Sequence, residues 1–99
     1  MSFVTTRPEA LSAAASGLAV IGASMNAQTA AAAGPTTGVI AAAADEVSAL
    51  TAAQFATHGQ MYQAISGQAA AIHEMLVSTL AAGADSYAAT EAANALAAG

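Results

Sequence analysis

Two histidines, six carboxylates and two tyrosines carry most of the titratable chemistry of this 99-residue sequence, which has no cysteine and a single cation, Arg7. His73-Glu74 begins like the zinc-protease helix motif, but Val77 stands where the second histidine must follow one turn on, so that chemistry is excluded. His58 and His73 are fifteen residues apart, about 22 Å along a straight helix, and cannot share a metal within one chain. No carboxylates pair at a spacing suited to acid–base work, and no serine has an evident base beside it. The glycines lie singly within helical periods, not between strand and helix, so no phosphate loop is present. One spacing remains. Tyr87 and Glu91, at i and i+4, place a ring and a carboxylate on one helical face; spacing alone reads most simply as an incidental surface pair.

The element that organises the chain is a long amphipathic helix expected over residues 45–83. Val47, Leu50, Phe55, Met61, Tyr62, Ile65, Ile72, Met75, Leu76 and Leu80 fall within an arc of roughly 140°, and Gln60, Gln63, Glu74 and Ser78 lie opposite. Within the apolar arc, Phe55, His58, Tyr62, Ile65, Ala69, Ile72 and Leu76 alternate spacings of three and four, as in knobs-into-holes packing. A first helix is expected over about residues 7–33. Thr6-Arg7-Pro8-Glu9 fits a capping box with Thr6 as the cap and Glu9 reaching back. Leu11, Ala14, Leu18, Ile21 and Met25 form its seam. Gly34-Pro35 signals its end, glycine supplying a left-handed cap. Residues 34–44 make the connection, and Asp45 or a neighbour caps the second helix with Glu46 near its positive end. Two helices so joined predict an antiparallel hairpin. After Gly83 the pattern loosens; residues 84–99 read as a C-terminal tail that carries Tyr87 and Glu91 on a helical extension, and its alanine-rich end after Glu91 reads as mobile. Gly17, Gly22, Gly59 and Gly67 lie inside the helices, where simple tolerance and close helix approach remain equal alternatives.

Composition supports one all-α domain over residues 1–99. Thirty-three residues are alanine and two are proline, and alanine is the best helix former. It also buries little area. The isolated chain is therefore expected to be marginally stable, with part of its apolar face left for a partner. A net charge of −5 removes the electrostatic basis for nucleic-acid binding and disfavours an anionic membrane surface. Polar residues from Ser12 to Thr29, followed by Pro35, argue against a transmembrane helix, and no signal-peptide pattern is expected at the N-terminus. No cofactor is implied.

Met1-Ser2-Phe3-Val4, Pro8-Glu9, Asp45-Glu46-Val47-Ser48 and Tyr87-Ala88-Ala89-Thr90-Glu91, taken in order, resemble the mycobacterial PE family, named for the Pro8-Glu9 pair. The likeness spans the whole chain and suggests a PE domain without the glycine-rich extension many members carry. It implies a helical hairpin completing an elongated four-helix-type bundle with a PPE-family partner. It also implies export through a type VII secretion system, from the cytoplasm to the outside or the cell surface. Tyr87 and Glu91 match the family's Tyr-x-x-x-Asp/Glu export signal. A cytosolic secretion chaperone is expected to contact the PPE subunit. The leading function is thus a non-enzymatic secreted binding subunit; the alternative is a self-associating cell-envelope or outer-membrane component. The hairpin and partner interface is expected at Leu11, Leu18, Ile21 and Met25 on the first helix. On the second it is expected at Val47, Leu50, Phe55, Met61, Tyr62, Ile65, Ile72, Leu76 and Leu80.

Overall fold

Alanine content and the near absence of proline predict helix, and helix is the only regular structure among the described residues. The structure, a computed structural model, describes residues 4–99; Met1, Ser2 and Phe3, which belong to the PE-like opening, lie outside them. Helix α1 runs Pro8–Thr37 and helix α2 runs Glu46–Ala98. By contact density the chain divides into a turn unit, Ala23–Ile72, and a terminal unit, in which the segment up to Gly22 packs with His73–Gly99. Each unit pairs α1 with α2 in antiparallel fashion.

Helix α1 does not stop at residue 33. It passes through Gly34-Pro35, and Gly99 is the only described residue with positive φ, so Gly34 makes no left-handed cap. Proline costs little here because the N–H it removes would serve the last turns only. The Thr36 and Thr37 hydroxyls donate to the Ala32 and Ala33 carbonyls, both at 2.6 Å, and the Gly38 amide donates to the Gly34 carbonyl at 2.9 Å. The Gly38 bond satisfies the Gly34 carbonyl, one of those that a helix end would otherwise leave to water, while the two hydroxyls turn back onto carbonyls one turn earlier in the helix.

Helix α2 begins as its sequence suggests. The Ser48 amide and hydroxyl donate to the two Asp45 carboxylate oxygens at 3.0 and 2.7 Å, and the Ala49 amide donates to the Asp45 carbonyl at 3.1 Å. Asp45 is therefore the N-cap. These bonds, the Ser48 hydroxyl first, hold its carboxyl below the ordinary carboxylate range. At the other end, residues 84–98 are helical, not a loose tail. Alanine propensity sustains the helix where amphipathic spacing fades, Ala84 is buried, and Glu91 is tied to the start of the chain.

The seam between the helices is built from small residues. On α2 the buried or half-buried positions include Ala52, Ala56, Gly59, Gln63, Ser66, Ala70, His73, Val77, Leu80, Ala81 and Ala84, largely a heptad rhythm of threes and fours. On α1 they include Leu11, Ala15, Leu18, Gly22, Thr29 and Thr37. Ala15, Ala52 and Ala84 are the buried hydrophobic residues among those described. Two glycines permit the close approach. A Cβ on Gly22 would stand 2.7 Å from the His73 ring, and one on Gly59 would overlap the Thr36 carbonyl. Gly17 and Gly67 face open space and are tolerated without a packing role.

Candidate partner-binding face and the Tyr87 and Glu91 pair

The rhythm read from the sequence is present, but large apolar residues and interhelical contact occupy different phases of α2. Val47, Leu50, Phe55, Met61, Tyr62 and Ile65 are exposed in the turn unit, with Ile72 at its end; Met75 and Leu76 are exposed in the terminal unit. Ile65 is 61% exposed and Ile72 is 67% exposed. On α1, Leu11 and Leu18 are half-buried, whereas Ile21 and Met25 are exposed; the contacting positions beside them are Ala15 and Gly22. Leu80 is half-buried. Burying Ile or Leu would have been favourable by about 1.5–3 kcal/mol per side chain, so an intrachain seam of alanine and glycine leaves that driving force unspent.

Three side chains outside the run of large apolar residues have roles in the seam. Gln63 does not face water: its amide Nε2 donates to the Thr29 carbonyl at 3.0 Å. His73 lies over Gly22 and its Nε2 is 2.6 Å from the Leu18 carbonyl, which requires the proton on Nε2. Val77, at the margin of the apolar arc, is half-buried in the seam. His58 is exposed. Among the described residues, no group of three His, Asp or Glu side chains gathers in a way that would hold a metal.

At the chain ends, Tyr87 is 48% exposed and Glu91 is half-buried. One Glu91 carboxylate oxygen, Oε1, accepts from the Thr6 amide at 2.8 Å and from the Thr6 hydroxyl at 2.9 Å. The amide bond and then the hydroxyl bond hold the Glu91 carboxyl below its ordinary range. Thr6 therefore does not pair with Glu9 as a capping box. The Ala10 and Leu11 amides reach the Arg7 carbonyl at 3.0 and 3.3 Å, which makes Arg7 the cap and leaves Glu9 one position too early to reach back. Pro8 at the first helical position explains the register. The acid expected from Glu9 comes instead from a residue 85 positions away, which no local spacing reveals.

Helix α1 raises one further point about its surroundings. It has 30 residues and contains an 18-residue window of mean hydropathy 1.3, so by length and composition it is apolar enough to cross a membrane. Its serines and amides, from which no transmembrane helix is expected, do not bring it below that measure.

These features define a small all-helical protein whose buried seam positions are alanine and glycine and most of whose large apolar side chains are exposed. Residues 4–94 match the PE family, and the chain belongs to it. It is 64% identical over 98 residues to the PE family protein PE13 of Mycobacterium tuberculosis, covering 99% of each chain. It is 62% identical over 95 residues to the PE-PGRS family protein PE_PGRS33 of the same organism, covering 96% of this chain and 19% of that protein. With PE_PGRS8 the identity is 58%, over 96% of this chain and 54% of the other. The chain thus spans all of one relative and between a fifth and about half of the others.

Proposed function

We propose that this protein is a non-enzymatic subunit that pairs with a PPE-family protein in a four-helix-type bundle and is exported as that pair through a type VII secretion system. In this reading Tyr87 and Glu91 belong to the export signal, and a cytosolic chaperone engages the pair through its PPE subunit. The pair forms in the cytoplasm and acts outside the cell or at its surface.

The observation that carries the proposal is the outward phase of the large apolar residues. Val47, Leu50, Phe55, Met61, Ile65 and Ile72 are all more than half exposed. An interface lined by Ile, Leu, Phe and Met suits a permanent helical partner better than a transient polar one. Family membership supports a PPE protein as that partner class.

The test is co-expression. The isolated chain is expected to self-associate or to melt without cooperativity, and a cognate PPE protein should convert it into a one-to-one complex with a cooperative melt. A cooperative, monomeric melt of the isolated chain at low micromolar concentration contradicts the proposal. The second reading, a self-associating envelope component, draws on the length and apolarity of α1. Sedimentation with and without detergent separates the two, since only the envelope component needs detergent to leave the pellet.

A further inference from the structure

The acid of the Tyr87 and Glu91 pair is already engaged within the chain. Thr6 lies two residues before the first residue of α1, and Pro8 at that position has no N–H to offer. The Thr6 amide is therefore beyond the reach of intrahelical bonding, and it is satisfied by Glu91 Oε1, as is the Thr6 hydroxyl. The same carboxylate brings negative charge to the positive end of α1. Neighbouring polar groups on α2 do not substitute for it: the Thr90 hydroxyl, for instance, turns back to the Ser86 carbonyl at 3.0 Å. Tyr87 lies one helical turn before Glu91, so its exposed ring and the bonded carboxylate share a face of α2.

We propose that Glu91 is a positioning residue, a clasp that fastens the segment entering α1 to the last part of α2. The surface read at this end is then composite, formed by the Tyr87 ring and the fastened segment from Val4 to Arg7. This rests on the export reading above and deepens it. A receptor for such a surface needs room for a ring beside a short length of fixed backbone, and it does not need a cation aimed at Glu91. Thr6 becomes part of the recognised surface through its bond to Glu91, although it lies outside the Tyr-x-x-x-Glu spacing.

The experiment measures amide hydrogen exchange and export on the same variants. The full chain in its purified complex is used, and the exchange of the peptide covering residues 4–11 is followed. Glu91→Gln keeps the shape and loses the charge; Thr6→Val keeps the amide and loses the hydroxyl; Thr6→Ser keeps both donors. Glu74→Gln, exposed elsewhere on α2, is the control. Exchange at residues 4–11 should rise about tenfold in Glu91→Gln and severalfold in Thr6→Val, the scale expected for losing charge-assisted or neutral hydrogen bonds. Thr6→Ser should restore protection, and residues 46–72 should be unaffected. Thr6→Val, with Tyr87 and Glu91 both intact, should lower the culture-filtrate fraction, and Thr6→Ser should recover it. Unchanged exchange in both Glu91→Gln and Thr6→Val overturns the clasp. Raised exchange with normal export of Thr6→Val overturns the composite surface. Normal export of Tyr87→Ala overturns the export reading and the composite surface together, while the clasp stands or falls on exchange alone.

Discussion

The two faces of α2 divide the chain's chemistry against the usual expectation. The face toward α1 carries Ala52, Gly59, Gln63, Ala70 and His73, small or polar, while the face away carries Leu50, Phe55, Ile65 and Ile72. In a self-sufficient domain the large apolar face is the core. Here close backbone approach and a few directed hydrogen bonds join the helices, and the groups with the greatest gain from burial are left exposed. The difference teaches that periodicity reveals a packing face, whereas side-chain size does not say which of two such faces the chain itself uses.

The strongest way to break this comparison is Ile65→Asp. If the outward face is a partner interface, a buried unpaired carboxylate costs several kcal/mol of association, so co-purification should be lost while the helicity of the isolated chain stays unchanged. Gln60→Asp, on an exposed position, should change complex stability by less than about 0.5 kcal/mol. Loss of helicity in isolated Ile65→Asp would mean that the face is used within the chain.

The inward face is probed by glycine. Gly59→Ala places a methyl group against the Thr36 carbonyl and should destabilise by about 1–3 kcal/mol, as overpacking against backbone does. Gly67→Ala, which meets nothing, should stabilise by up to about 1 kcal/mol through helix propensity. Thermal melts of the complex read both, and effects of the same sign would remove the distinction between a close-approach glycine and a tolerated one.

The smallest expected effect is on pH. The folded-state pKa values of Asp45 and Glu91 are depressed by their bonds to Ser48 and Thr6. Their contribution is therefore fully present above the ordinary carboxylate range, about pH 4. It falls as acid protonates the folded groups and is gone below their depressed values. Arg7, Glu9 and Asp85 are the other charged side chains in the two segments that Glu91 joins. The acid-side loss of stability should be smaller in Glu91→Gln than in wild type; an unchanged acid limb would show that the Thr6 bonds contribute nothing.

Much of the helical fold was legible because it depends on local signals: alanine content, threefold and fourfold spacing, Pro8 at a helix start and Asp45 at another. The end of α1 was harder, since a proline in a last turn is tolerable and the hydroxyls of Thr36 and Thr37 are conditional helpers. The C-terminal helix was hidden for a related reason: apolar spacing fades after Gly83 while intrinsic propensity does not. The seam's rhythm was readable but its phase was not, because size was taken as the marker of contact when Gly22 and Gly59 mark it instead. Tyr87 and Glu91 stood out by spacing; Thr6 as the partner of Glu91 did not, because the contact is made by the fold.

A seam made so largely of alanine has one further property. Alanines are alike in size and shape and carry no directed group, so they alone do not set the alignment of the helices. Within the turn unit the alignment is set by Gly59 beneath Thr36 and by Gln63 on Thr29. Within the terminal unit it is set by His73 on Leu18 over Gly22 and by Glu91 on Thr6. Each unit thus has two fixed points, enough to exclude a shifted pairing. The alanines between them can drift in sequence without changing which residues stand opposite one another.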